Sequence, residues 1–251
     1  MELLKAIKKT IGYAKNFDCS INREQICQRL ISKKVYKLEE IRKELKNFKK
    51  NNNKNKWLTI KEKKAKDLSK LIKNKFKDIL FLGVSGSVAA EYPKEDDDID
   101  MMLITRKNKL WLTRFKLRWF IFINKIPHRK YNQKENKDEF CFNLWLDEAN
   151  LKLPQNRQNL RSAVDLILLK PLINKQKTYE KFILANDWAK KYVATGYSRK
   201  ISNFQFLISN KNKSNYLDQL INKLFFWPQY WYMKKKITNE KINYYQAFFH
   251  K

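Results

Sequence analysis

A chain of 251 residues can hold one large domain or two small ones and bury a real core, and its 14% aromatic content speaks for folding against disorder. Lysine and arginine number 55 against 25 aspartate and glutamate, a formal charge of +30, which favours a polyanionic partner such as nucleic acid or a nucleotide polyphosphate. The abundance of Lys, Asn and Ile also fits AT-rich coding, which enriches lysine without selection for binding. Only His128 and His250 are present, and Cys19, Cys27 and Cys141 show no metal-type spacing, which argues against histidine-based zinc sites, Ser-His-Asp chemistry and a disulfide framework. A reducing cytoplasm fits this cysteine usage. No apolar run approaches the ~20 residues of a membrane span, and Met1 to Ile7 lacks a signal-peptide core.

Residues 1–61 read as a module of their own. Leu3, Leu4, Ile7 and Ile11 give a first helix an apolar stripe. A second helix starts at Asn22, where Gln25 completes a capping box and Ile21 can staple onto Ile26. A third is expected from Lys37 to Phe48, on Leu38, Ile41, Leu45 and Phe48. A polar run, Lys49 to Lys56, then leads into strand-like Trp57-Leu58-Thr59-Ile60. Three helices and a basic hairpin in this order resemble a winged helix, whose third helix commonly enters the major groove. Glu39, Glu40 and Glu44 on that helix would oppose phosphates, so docking and regulation stand beside DNA reading.

Residues 62–158 carry the chemistry. A helix from Glu62 to Phe76 precedes Ile79-Leu80-Phe81-Leu82-Gly83-Val84, a continuous apolar run that reads as a strand buried on both faces. Gly86-Ser87 follows, and ten residues later comes Asp98-Ile99-Asp100, opening a second apolar strand through Ile104. Strand side chains alternate, so Asp98 and Asp100 project from one face and can reach the same divalent cations. Leu110 to Ile123 reads as an aromatic helix with Arg114 and Arg118 one turn apart, by default on an exposed face. Pro127 to Lys137 is a basic loop, and Phe140 to Leu146 a third strand. Residues 159–251 turn helical, and Leu224 to Tyr232 in the last helix could touch a membrane or a partner but more often such a segment packs on the body.

Buried strand, Gly-Ser, ten-residue spacer, Asp-x-Asp and second apolar strand together closely resemble the signature of the DNA polymerase β-like nucleotidyltransferase superfamily. The wider pattern, with Leu-Trp-Leu-Thr-Arg-Phe at 110 to 115 and Phe-Asn-Leu-Trp-Leu-Asp-Glu at 142 to 148, resembles an uncharacterised bacterial group with such a domain. The resemblance implies an α+β fold, a small mixed sheet flanked by helices. It implies that Gly86 and Ser87 hold the phosphates of a nucleoside triphosphate and that Asp98 and Asp100 ligate two Mg2+ ions. The implied reaction transfers a nucleoside monophosphate to a hydroxyl on RNA, DNA or protein and releases pyrophosphate. Asp96 matches an acidic position with a supporting role.

The family usually carries a third carboxylate in mid-strand, where this chain has Asn143, so the expected catalytic set is Asp98, Asp100 and Asn143. An amide coordinates through its oxygen but takes no proton as a base. Asp147 and Glu139 share its parity at the two strand ends. Two rival readings therefore stand: a degenerate domain that binds nucleotide or nucleic acid for regulation, and an antitoxin-like protein that binds a partner.

Overall fold

The computed structural model describes residues 1–46, 48, 55–129, 136–204, 216–235 and 242–249. In chain order the elements are α1 (Glu2–Lys15), α2 (Arg23–Arg29), α3 (Leu38–Glu44), α4 (Lys56–Lys75), β1 (Ile79–Val84), α5 (Gly86–Ala89), β2 (Ile99–Thr105) and α6 (Leu110–Ile123). There follow β3 (Phe140–Asp147), α7 (Leu160–Leu168), β4 (Lys170–Asn174), α8 (Thr178–Ala185), α9 (Lys190–Ser202), α10 (Tyr216–Lys234) and β5 (Gln246–Phe248). The chain is therefore mixed α+β, with one five-stranded mixed sheet flanked by helices.

Two compact units divide the chain, and neither is one continuous stretch. The first comprises Met1–Asn55, Lys152–Leu169 and Phe182–Leu207, and the second comprises Lys56–Leu151, Lys170–Lys181 and Ile208–Lys251. Residues 159–251 thus do not form a helical region of their own. Lys170–Asn174 joins the sheet as an edge strand, while α7 and α9 pack with the N-terminal helices.

Within the first unit, α1 buries Ala6, Ile7, Thr10 and Ala14, a stripe rotated from the expected one so that Leu4 is exposed. The capping box forms as expected: Gln25 N donates to Asn22 Oδ1 at 3.0 Å and Asn22 N to Gln25 Oε1 at 2.9 Å. Helix α3 ends at Glu44, short of Phe48. Arg23 donates to the carbonyls of Lys46 and Phe48, satisfying backbone acceptors beyond the helix end. Helix α9 meets α2 at Gly196, where a Cβ would stand 2.2 Å from the Gln28 carbonyl oxygen, so only glycine permits this approach.

In the second unit, Trp57–Ile60 is helical and opens α4, correcting the strand expected there. Lys61, Ala65, Leu68 and Ile72 are buried at spacings of four, three and four, and this stripe extends the helical period through the segment. The sheet order is β4-β1-β2-β3-β5, with β2 and β3 parallel and the other pairs antiparallel. All six residues of β1 are buried, as a central strand requires. Helix α6 supplies the crossover between the parallel strands.

Helix α10 packs on α6 through Trp111 with Phe226 and Phe115 with Phe225, both at 5.0 Å between ring centroids. Its Asn222 Oδ1 accepts from Trp111 N at 2.8 Å, capping α6 from outside its own sequence. Trp227, Trp231 and Tyr232 remain exposed, so the aromatic segment packs on the body along one side only. Among the described residues no helix is long and apolar enough to cross a membrane. His250 and most of Lys49 to Lys56 lie outside the described residues.

Candidate metal centre

The site begins where β1 ends. Ser85 N donates to the Asp100 carbonyl at 2.9 Å, and the next residue, Gly86, turns into α5 with φ of +62°. A Cβ built on Gly86 would stand 2.2 Å from Asp100 Oδ2. Glycine is thus required twice, by the left-handed backbone and by the carboxylate lying against its α-carbon. Ser87 follows half-buried in the turn.

Lys61 holds the acidic loop ahead of β2. Fully buried, its Nζ donates to the carbonyls of Glu95 at 3.1 Å and Asp97 at 2.6 Å and to Asp138 Oδ1 at 3.1 Å. Burial pushes the Asp138 carboxyl up, but the bonds from Lys64 and Lys61 outweigh it and hold the group below its ordinary value. Asp97 Oδ2 accepts from Lys94 N at 2.9 Å and closes the loop, and Asp96 beside it is exposed.

Asp98 is 5% exposed, and its Oδ2 accepts from Arg129 Nη1 at 2.9 Å. Burial raises its proton affinity against the pull of Arg129 and of a Cys141 hydrogen bond. Asp100, half-buried, accepts on Oδ1 from Asn143 Nδ2 at 2.7 Å. Parallel pairing sets Cys141 beside Asp100, and burial followed by the charges of Asp100 and Asp98 pushes its thiol up. Ligand atoms of Asp98, Asp100 and Cys141 all lie within 4.8 Å of one another.

Asn143 reaches Asp100 because the register slips there: Met101 pairs with Phe142 and Met102 with Leu144, leaving Asn143 as the extra residue of a bulge. Asp147 lies elsewhere. It pairs with Thr105 at the far end of β3, is fully buried, and accepts from Asn108 N at 2.7 Å and Ala149 N at 2.9 Å. Glu139 is outside the ligand group too.

Gly86, Asp98, Asp100 and Asn143 are therefore brought together, with Ser87 next in the turn. Lys61, Arg129 and Cys141 were not legible as site residues in the sequence. Cys141 shares the parity of Asn143 two residues on, a signal that strand pairing alone turns into contact. Arg129 belongs to a segment expected as a basic loop, and it arrives because Arg129 N donates to the Phe140 carbonyl along the edge of β3.

Two carboxylates suit a hard divalent cation, while Asn143 turns its amide nitrogen, not its oxygen, to Asp100. Asp98 and Asp100 are the residues that would hold such an ion. Cys141, kept protonated, is a poor ligand for such an ion. In this structure the Arg129 guanidinium supplies the positive charge beside Asp98. Compared with known family models, curated proteins and solved structures, the chain matches none.

Proposed function

We propose that the protein is a divalent-metal-dependent nucleotidyltransferase, transferring a nucleoside monophosphate from a nucleoside triphosphate to a hydroxyl acceptor and releasing pyrophosphate. One observation carries this reading: the Asp100 carboxylate lies against Gly86 of the Gly-Ser turn, with Asp98 two residues away in the same ligand group. On this reading Gly86 and Ser87 hold phosphates, and Asp98 and Asp100 hold Mg2+, two ions when the nucleotide supplies the remaining ligands. The bound ions supply charge neutralisation at the phosphates and lower the pKa of the attacking hydroxyl. Asn143 orients Asp100 through its 2.7 Å bond and takes no proton. Asp98 and Asp100 are then the bases of the group, since burial and its acidic neighbours keep the Cys141 thiol protonated.

The second unit would be the nucleotidyltransferase core, and the N-terminal helices of the first a winged-helix-like module that docks a nucleic-acid or protein partner. The free, buried cysteines suit a cytoplasmic, reducing setting. The charge of +30 suits an RNA or DNA acceptor.

A specific observation favours the binding-regulator alternative: Arg129 pairs with Asp98, and no third carboxylate joins the group among the described residues. One assay separates the two. The protein is incubated with each α-labelled nucleoside triphosphate, Mg2+ or Mn2+, and RNA, DNA or cell protein. Label should move to one acceptor class and should not move in Asp98→Ala/Asp100→Ala. Metal-dependent nucleotide binding without transfer to any acceptor assigns the binding role.

A further inference from the structure

Helices α6 and α10 run alongside one another in the same direction, as the bonded pairs Lys109–Asp218, Trp111–Asn222 and Arg114–Gln229 show. Each buries one face, with Leu117 and Ile121 on α6 and Asn222, Phe226 and Met233 on α10. The opposite faces are apolar too, where an amphipathic helix at the rim of a globular unit carries polar residues.

On α6, Phe115, Trp119 and Phe122 follow at spacings of four and three and are exposed, Phe122 by 71%. On α10, Leu217, Leu220, Leu224, Trp227 and Trp231 follow at spacings of three, four, three and four, with Leu224 exposed by 71% and the two tryptophans by 53% and 58%. At about 100° per residue, Trp119 stands nearly opposite Leu117 and Ile121, and Leu224 nearly opposite Asn222 and Phe226, so both stripes face away from the core. The rings of Phe115 and Phe225, 5.0 Å apart, bridge the two stripes. With aromatic side chains of about 150–250 Å² exposed by roughly half and the leucines between them, the patch is on the order of 1,000 Å², above the ~300–600 Å² of the largest patch on an ordinary monomer.

The charge around this patch is of one sign. Helix α6 contains no acidic residue, and the one acid of α10, Asp218, is bonded to Lys109. By helical phase Lys116 borders the α6 stripe and Lys223 and Lys234 border the α10 stripe, each on the flank turned away from the other helix, and all three are exposed.

We propose that this two-helix face docks the protein on an anionic lipid bilayer surface, its aromatic and leucine side chains entering the headgroup boundary and its flanking lysines pairing with lipid phosphates. Tryptophan puts an apolar ring on one side of that boundary and an N–H on the other, and lysine crosses it with an apolar stem and a charged head. The helices lie in the plane of the surface: among the described residues none is long and apolar enough to cross a membrane, and Lys223 and Pro228 interrupt α10. A second copy of the chain fits less well, because a two-fold contact through this face sets a lysine rim against a rim of the same sign, with no acid on either helix left to pair it. A nucleic-acid strand accounts for the cations and the rings but gives Leu217, Leu220 and Leu224 no role, since bases stack on aromatic faces. The docking face does not rest on the metal-centre reading.

Co-sedimentation of the full chain with vesicles tests this, using phosphatidylcholine alone and phosphatidylcholine with about one third phosphatidylglycerol. Binding should be at least about tenfold tighter on the anionic vesicles, and lipids brominated on their acyl chains should quench the tryptophan emission. Phe122→Gln/Leu224→Gln/Trp231→Gln, at three exposed positions, should leave circular dichroism unchanged and weaken binding about tenfold or more. Lys116→Gln/Lys223→Gln/Lys234→Gln should remove most of the preference for anionic lipid. Lys63→Gln/Lys66→Gln/Lys73→Gln, which takes the same charge from exposed positions of α4, should leave that preference in place.

Equal loss in the two lysine triples assigns the binding to the overall charge of +30 and overturns the docking face. Binding without quenching by the brominated lipids overturns it as well, as does an absence of binding to either vesicle. Dimerisation seen by analytical ultracentrifugation, or binding of a single-stranded oligonucleotide, that the Phe122, Leu224 and Trp231 changes abolish while vesicles remain unbound gives the face to that occupant and overturns the lipid proposal.

Discussion

Asn143 Nδ2 donates to Asp100 Oδ1 at 2.7 Å from the one position that the pairing of β2 with β3 skips. The bulge aims a mid-strand amide at a carboxylate that a regular strand would have left to its neighbours. Asn143→Asp replaces this bond with two facing carboxylates. Without metal the variant should lose about 1–3 kcal/mol of stability, the cost of a lost bond to a charged group plus like-charge repulsion. Saturating Mg2+ or Mn2+ should restore the melting temperature, and label transfer should rise above wild type. A variant as stable as wild type in chelator, and indifferent to metal, would show that position 143 does not face the cation site.

Gly86→Ala should be costly for two reasons that add. A backbone at φ of +62° disfavours a Cβ by roughly 1 kcal/mol, and the new methyl would meet Asp100 Oδ2 at 2.2 Å and push the carboxylate aside. We expect a lower melting temperature and a Mn2+ affinity reduced about tenfold or more. Ser87→Ala, which disturbs neither the turn nor Asp100, should leave Mn2+ affinity intact and weaken only nucleoside triphosphate. Equal metal affinity in Gly86→Ala and wild type would remove Asp100 from the centre.

What could be read from the sequence was what is local. The buried run of β1, the Gly86 turn, the opening of β2 at Asp98-Ile99-Asp100 and the Asn22–Gln25 capping box are each written in a few adjacent residues. Trp57–Ile60 misled because four apolar and β-branched residues satisfy a strand as well as a helix. Only the stripe of Lys61, Ala65, Leu68 and Ile72 decides between them, and a buried lysine hides that stripe from a hydrophobicity pattern. Lys61, Arg129 and Cys141 reach the site through an acidic loop, an edge segment and a parallel pairing, contacts across 34, 31 and 41 residues that no local spacing announces. Interleaving of the two units escaped for the same reason, since β4, a Lys-Pro-Leu-Ile-Asn run inside a stretch that turns helical, becomes a strand only by pairing with β1.

Asp147 sets a pH dependence that is separate from the metal centre. Burial raises its carboxyl to about 7, while N–H bonds from Ala149, Asn108 and Lys109 restrain the rise. In the unfolded chain the group titrates near ~3.9, so between about pH 4 and pH 7 the folded state holds more protons than the unfolded one. Its contribution to stability is therefore greatest below pH ~4 and is lost as the pH climbs through 7, by about 3–4 kcal/mol at most. Asp147→Asn keeps an acceptor for the Asn108 and Ala149 amides and removes the titration. The difference in unfolding free energy between variant and wild type should grow in favour of the variant from pH 4 to pH 7.5. A difference that does not change with pH would mean that Asp147 titrates alike in both states.

Lys61 offers the sharpest test of how the acidic loop positions Asp98. Its ammonium is the shared donor for two carbonyls of the loop and for Asp138, all within 3.1 Å, in a fully buried setting. Lys61→Met keeps the apolar stem on the α4 stripe and removes the charge, leaving the Glu95 and Asp97 carbonyls short of a donor. Asp138 then keeps Lys64, at 2.7 Å, as its remaining partner. Loss of one member of a buried pair costs about 3–5 kcal/mol, and Lys64 should hold the loss near the lower end. Lys61→Met with Asp138→Asn should cost less than the two single changes together, because the second substitution removes the charge that the first uncovers. If Lys61 acts on the site as well as on the fold, Mn2+ affinity should fall in folded Lys61→Met and stay lowered in the double variant. Recovery of stability without recovery of metal affinity is the expected signature, since the carbonyls that aim the loop still lack their donor. Full recovery of both would assign Lys61 to charge balance alone, with Asp98 held in place by β2 and Arg129.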